Sequence, residues 1–274
     1  MAIPYIIILL ATGIITGFAS GLLGVGGAFI TTPVQYTVFT NIGIPPEIAI
    51  RLAFGTSLLV ILPTAISGTW RHHKEGMVWW KAAIIMGSCG SIAAFSGATL
   101  AAFLPGAMLK IAFGAIVLAA AIRMLVVGKP PVEKQPKDKM WLWVACAVPI
   151  GLVTGILGIG GGILFIPVMR VFLGVRMHNA VAISLATMIF TSIGGVIGYI
   201  INGLSVSNLP PYSIGYVNLP SWFLLTVTSV GMAQVGAVIS HRVRGRYLRY
   251  IFTGIMLLLG LRMLGVFDWL GWSI

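Results

Sequence analysis

The chain has 274 residues, of which 58% are hydrophobic and 8% charged, with a formal net charge of +12 and a mean hydropathy of +1.05. An ordinary soluble domain is about 25% charged, so this composition excludes one. Long apolar runs separated by short polar joints, without strand-period alternation, favour an all-α polytopic membrane protein over an outer-membrane barrel.

The joints divide the chain into about ten membrane segments. They fall at residues 4–22, 28–40, 48–70, 77–103, 106–128, 141–159, 163–174, 178–201, 220–241 and 246–266. The first begins MAIPYIIILL and has no basic n-region, so it reads as a mature helix and not as a cleaved signal peptide. Its Gly13, Gly17 and Gly21 fall at i, i+4 and i+8, the spacing that lets membrane helices pack closely. The second segment begins within the stretch GLLGVGGAFITTP, Gly21 to Pro33, directly after its glycine cluster, and is too short to cross a bilayer as a straight helix. It carries Gln35, a group costly in lipid that is expected to face the interior. Arg51 opens the third segment, where it could attract an anion, although a snorkelling interfacial arginine is the commoner arrangement. Thr56 and Ser57 follow, with hydroxyls able to donate either to an oxyanion or to a helix carbonyl.

After the fifth segment, GKPPVEKQPKDK (Gly128 to Lys139) has the composition of a solvated linker. The chain then repeats itself. Gly17, Gly21, Gly24, Gly26, Gly27 and Pro33 recur without a gap, at a spacing of 134, as Gly151, Gly155, Gly158, Gly160, Gly161 and Pro167, and the glycine cluster of GILGIGGGILFIP is again followed directly by a short segment. ArgMetLeu at 123–125 recurs at 262–264, a spacing of 139 shared by Gly76 with Gly215 and Gly97 with Gly236. The organisation is therefore a five-segment repeat over 1–128, a linker over 129–140 and a second five-segment repeat over 141–274. In the second half, Ser184 and Thr187 are the corresponding hydroxyls, Thr187 matching Thr56 at a spacing of 131. Asn179 and His178, at the start of the eighth segment, read as helix-capping residues. Gln234, in the ninth, is expected to face the interior like Gln35.

An odd number of crossings per half requires the second half to sit upside down, and loop charge tests this. Alternate sides from the N-terminus collect Arg71, Lys74, Lys81, Arg123, Lys129, Lys134, Lys137, Lys139, Arg170, Arg176, Arg242, Arg244, Arg246 and Arg249 on one face. Arg51, Lys110 and Arg262 are on the other, so fourteen of the 17 basic residues share a side. The positive-inside rule then predicts an inverted repeat with both termini outside and the linker cytoplasmic. Arg123 and Arg262 correspond across the repeat and read as interfacial anchors. The positive charge suits an anionic inner leaflet, and no nucleic acid is needed to explain it.

Inverted repeats with interrupted helices are the architecture of secondary transporters, whose site lies near the midplane between repeats. At Gly24, Gly26, Gly27 and again at Gly158, Gly160, Gly161, glycines let the backbone turn sharply and approach a ligand, and the next helix starts with free N–H groups. Such a helix start binds anions. Close packing is the simpler role for Gly13, Gly17, Gly21, Gly151 and Gly155, whereas consecutive glycines before a short segment favour a binding site or hinge.

The paired Gly-x-Gly-Gly clusters, AlaPheGlyThrSerLeu at 53–58, and the two five-segment halves joined by a charged linker resemble the sulfite exporter TauE/SafE family of membrane transporters. The resemblance covers essentially the whole chain and implies a bacterial or archaeal inner membrane. It also implies a small anionic substrate: a sulfur oxyanion or organosulfonate such as sulfite, thiosulfate or sulfoacetate, or another organic anion. AlaThrMet at 186–188 stands where GlyThrSer at 55–57 would recur, so the two half-sites differ chemically.

The remaining residues restrict the mechanism. Glu47, Glu75, Glu133, Asp138 and Asp268 lie in joints or near the C-terminus, so no membrane carboxylate offers a proton relay. His72, His73, His178 and His241 lie at or near segment ends, where titration could assist coupling. Cys89 and Cys146 read as small apolar residues, with no metal site. No nucleophile and base suggest an enzyme, and no nucleotide motif is present. The expectation is a transporter with no cofactor, using the lipid bilayer, a small anion and a proton or sodium as coupling ion, with an anion channel as the alternative. The sequence specifies no oligomeric state.

Overall fold

The computed structural model describes residues 3–126, 140–240 and 246–266. The linker residues 129–139 lie outside the described residues, among them Lys129, Glu133, Lys134, Lys137, Asp138 and Lys139. So do His241, Arg242, Arg244 and Asp268, and the side chains of Arg246 and Arg249.

The described chain is a helical membrane bundle of α1 (Ile3–Leu23), α2 (Ala28–Asn41), α3 (Pro46–Lys74), α4 (Trp80–Phe103), α5 (Gly106–Val126), α6 (Met140–Leu157), α7 (Gly162–Phe172), α8 (Met177–Gly203), α9 (Leu219–Ser240) and α10 (Arg246–Met263). Seven of these are long and apolar enough to cross a membrane. The 14 residues of α2 and the 11 of α7 span only about 21 and 17 Å, short of the roughly 30 Å hydrocarbon core. Observed ends differ from the expected ones by a few residues, most at α3, which continues past the expected end at 70 to Lys74.

Small residues decide which helices touch. Along α1, Gly13 packs on Leu225 and Thr228, Gly17 on Ser229 and Gly21 on Ala233 of α9, so the two helices run parallel. The same arrangement joins α6 to α4: Gly151 packs on Gly90, and Gly155 on Ala94. A Cβ on Gly155 would lie 2.7 Å from the Ala94 carbonyl carbon, so the backbones meet where no side chain fits. In contrast, α3 and α8 are antiparallel, with Leu58 against Gly195 and Leu185 against Gly68. Hydrogen bonds from Trp222 to the Leu59 carbonyl (3.2 Å) and between Thr64 and Ser229 (2.9 Å) set α9 parallel to α3. Gly87 on Phe190 and Gly198 on Ala98 set α4 parallel to α8. Gly114 against Leu264 and Gly260 against Leu118 set α5 antiparallel to α10. Glu47 accepting from the Gly106 N–H, and Phe54 stacked 5.7 Å from Phe113, set α5 parallel to α3. Thus α1, α3, α5 and α9 point one way and α4, α6, α8 and α10 the other.

At the end of the bundle where α3 begins, the connection between α8 and α9 folds inward as a short hairpin of β1 (Ser213–Ile214) and β2 (Val217–Asn218). Tyr216 N–H donates to the Tyr199 carbonyl (3.2 Å), and Asn218 N–H to Thr56 Oγ1 (2.9 Å). Tyr216, Val217 and Asn218 are buried. Asn218 Oδ1 accepts from the Ser221 N–H and so caps α9.

The Arg51 guanidinium donates to the carbonyls of Ala101 (3.1 Å) and Leu104 (2.7 Å) at the C-terminal end of α4 and to the Glu47 carbonyl (3.0 Å), with the Glu47 carboxylate 3.9 Å away. Asn179 does not cap α8: its amide donates to the Met77 carbonyl in the α3–α4 joint (2.9 Å), and Arg176 occupies the N-cap position.

Candidate functional site

Two glycine loops cross in the middle of the bundle. Gly24, Gly26 and Gly27 have φ of 67, 85 and 70°, and Gly158, Gly160 and Gly161 have 64, 70 and 88°. An L side chain in that region costs about 1–2 kcal/mol, which is why each turn is written in glycine. The loops also begin and end alike. Gly24 N–H donates to the Ser20 carbonyl and Gly158 N–H to the Thr154 carbonyl, each at 2.8 Å. Gly27 and Gly161 are then left-handed N-caps, whose carbonyls accept the first helical bonds of α2 and α7 with no side-chain cap. Both short helices therefore start with N–H groups that have no intrahelical acceptor, at the positive end of a helix dipole.

The loops touch each other. A Cβ on Gly162 would lie 2.7 Å from Val25 Cα, and one on Gly26 would lie 3.7 Å from the Ile159 carbonyl oxygen. Met188 of α8 sits between them, its sulfur 2.8 Å from the Cβ position of Gly26 and 3.5 Å from that of Gly160. Helices α3 and α8 flank the crossing, with Ile61 against Gly160 and Val181 against Gly24. Ser184 Oγ donates to the Gly24 carbonyl (3.1 Å) and Thr191 Oγ1 to the Gly160 carbonyl (3.2 Å), so each loop is tied to α8.

Around this crossing several buried polar atoms have no hydrogen-bond partner: Ser20 Oγ, Thr154 Oγ1, Thr187 Oγ1 and Gln35 Oε1. Buried polar groups are ordinarily paired, so these four atoms carry hydrogen-bonding capacity that no protein group uses. Beneath α2, the Thr31 and Thr32 hydroxyls and Gln35 Nε2 converge on Ser57 Oγ at 3.1, 3.0 and 3.1 Å. Among the described residues no lysine, arginine, aspartate or glutamate is buried. The donors available to a small anion here are thus neutral: backbone N–H groups and hydroxyls.

Of the expected site residues, Gly24, Gly26, Gly27, Gly158, Gly160, Gly161, Ser184 and Thr187 come together at the crossing, and Gln35 and Ser57 join in the adjoining hydroxyl cluster. Two do not. Thr56 turns the other way and holds the hairpin through Asn218. Gln234 is exposed on the outside of α9, because Ala233, Gly236 and Ala237 take the face that packs on α1. Sequence reasoning misses Thr31, Thr32, Ser20 and Thr154 and does not foresee the central place of Met188. Ser20 and Thr154 correspond at the same spacing as the repeated glycines, a signal that could have found them.

A family model described as Sulfite exporter TauE/SafE matches residues 9–263. The chain is 32% identical over 260 residues to a probable membrane transporter protein of Methanocaldococcus jannaschii, covering 94% of each chain. It is 27% identical over 233 residues to a probable membrane transporter protein of Haemophilus influenzae, covering 85% of this chain and 88% of that one. It is 24% identical over 282 residues to the probable membrane transporter protein YunE of Bacillus subtilis, covering 96% and 99%. No solved structure matches.

Proposed function

This chain belongs to the sulfite exporter TauE/SafE family of membrane transporters, and we propose that it carries small anions, sulfur oxyanions or organosulfonates such as sulfite, thiosulfate or sulfoacetate, by alternating access. The observation that carries this reading is the crossing of two glycine loops, each opening a short helix, around Met188. The N-terminal ends of α2 and α7 and the Thr187 hydroxyl supply neutral donors for an oxyanion, a use of helix starts common to anion sites.

We further read the two halves as an inverted repeat. Corresponding helices run oppositely: α1 against α6, α3 against α8, α4 against α9 and α5 against α10. The α1–α9 contact also has its counterpart in α6–α4. These contacts support the inversion, and the lysine and arginine asymmetry supports termini outside an inner membrane with the linker in the cytoplasm. Since α1 packs on α9 and α4 on α6, the bodies that rock are groups drawn from both halves, with the glycine loops between them.

Flux of radiolabelled sulfite, thiosulfate and sulfoacetate into proteoliposomes tests the reading. Saturable uptake with counterflow is expected, and its loss in Gly160→Leu, where the new side chain meets Ile61 and Met188, would accompany normal insertion and folding. Wild-type flux in that variant would remove the proposed site, and flux without saturation or counterflow would make the protein a channel.

A further inference from the structure

The two ends of the bundle differ in one element. The joint between α3 and α4, residues 75–79, corresponds across the repeat to the joint between α8 and α9, residues 204–218, with Gly76 matching Gly215 at the spacing of 139. A Cβ on Gly76 would meet open space, whereas one on Gly215 would lie 2.8 Å from the Ile200 carbonyl carbon in α8. The outer joint is thus the longer one and turns into the bundle, as the hairpin that buries Tyr216, Val217 and Asn218.

The hairpin reaches the level of the glycine crossing. Thr56, which accepts the Asn218 N–H, lies about 15 Å along α3 from Pro46, half the depth of the hydrocarbon core. Three consecutive residues of α3 set hairpin and loop side by side: Phe54 Cα lies 2.6 Å from the Cβ position of Gly158, Gly55 faces the Tyr216 carbonyl, and Thr56 holds Asn218. Tyr199 of α8, fully buried, makes a second link. Its carbonyl accepts from the Tyr216 N–H (3.2 Å), and its hydroxyl donates to the Ile156 carbonyl (3.0 Å), two residues before Gly158. Its ring stands edge-on to those of Tyr216 (6.4 Å) and Phe54 (6.5 Å).

The second half supplies a control. At the spacing of 131, Gly55 and Thr56 correspond to Ala186 and Thr187. A methyl group on Gly55 would run into the Tyr216 carbonyl, 3.1 Å from its carbon, whereas Ala186 carries one and is equally buried. Thr56 Oγ1 receives the Asn218 N–H, whereas Thr187 Oγ1 has no partner. The difference between GlyThrSer at 55–57 and AlaThrMet at 186–188 therefore follows the hairpin, which approaches α3 from the outer end.

We propose that the hairpin is the outer gate of the carrier: it closes the outer approach to the crossing in this structure and withdraws when the site opens outward. Alternating access requires each end to close in turn, so the gating role rests on the transport reading above, whereas the movement of the hairpin does not. Withdrawal frees the N–H groups of Tyr216 and Asn218 from their acceptors and lifts three buried side chains out of the bundle, a local opening on the scale of other active-site lids. Tyr199 bonds both the hairpin and the last turn of α6, so the gate and the second glycine loop constrain each other.

Cysteine labelling in intact cells tests the gate, in the full chain with Cys89 and Cys146 replaced by alanine. Val217→Cys, buried in the structure, should react with an impermeant maleimide from outside about tenfold faster than Leu225→Cys, a fully buried position of α9. Equal rates at the two positions overturn the proposal. Thr56→Cys with Asn218→Cys, at residues whose Oγ1 and N are 2.9 Å apart, provides a staple. Its oxidation to the disulfide should abolish saturable uptake of radiolabelled sulfoacetate into proteoliposomes, and a reductant should restore it. Full uptake with the disulfide in place overturns the proposal. The two arms also separate the readings. Saturable uptake alongside an inert Val217→Cys removes the gate and leaves the transporter. A reactive Val217→Cys, without flux of any anion tested, removes the transport reading and leaves a moving hairpin.

Discussion

Replacing Thr56 by Val asks whether this hydroxyl serves the substrate or the fold. Val has nearly the shape of Thr but offers no acceptor, so the Asn218 N–H, in a residue only 1% exposed, loses its one bond in the structure. Leaving a buried donor unsatisfied costs about 1–3 kcal/mol. Thr56→Ser keeps the oxygen and removes one methyl group, a loss of about 1 kcal/mol by analogy with other single-methyl deletions. The geometry therefore orders the three proteins as wild type, Ser variant and Val variant in falling thermal stability. Hydrogen exchange should locate the loss at residues 213–221, where Asn218 joins the hairpin to the start of α9. An unchanged Tm and unchanged amide protection at Asn218 in the Val variant would refute this reasoning and return Thr56 to the substrate.

Two further outcomes follow from the packing and the charge distribution. Gly155→Ala should destabilise by about 1–3 kcal/mol because its methyl group enters the Ala94 backbone. Gly231→Ala, in an open position of α9, should be neutral or stabilising by about 0.4–1 kcal/mol; chemical unfolding of the pair in one detergent checks the contrast. With single cysteines in intact cells, Tyr212→Cys, at the exposed residue just before β1, should react with an impermeant maleimide from outside, and Lys74→Cys should react only after permeabilisation. Reaction of both from one side would contradict the orientation.

The helices and their glycine interruptions are legible in the sequence because each rests on local chemistry. Apolar length and a run of glycines specify a helix, a turn and a restart without help from distant residues, while Pro33 and Pro167 lie inside the restarted helices. The direction in which a given side chain faces is less accessible. Thr56 and Ser57 are neighbours on α3, yet about 100° apart around a helix, so one meets the hairpin and the other meets α2. In α9 nearly every residue is apolar or small, and the inward face is chosen by fit to α1, which turns Gln234 outward. The tie from Arg51 to α4 escapes sequence reasoning for a related cause: Ala101 and Leu104 receive it through their carbonyls, and backbone acceptors leave no trace in side-chain identity.

The cross-half pairing of α1 with α9 has a consequence for how the protein is made. The groove formed by Gly13, Gly17 and Gly21 emerges from the ribosome first, and its partner follows about 200 residues later. At ordinary synthesis rates that is an interval of roughly 10–40 s. During it α1 is inserted with its closest-packing face against lipid or an assembly factor, and any chain truncated before Leu219 keeps that face unmatched. A nonsense or frameshift lesion that removes the ninth helix thus leaves the groove of the first uncovered.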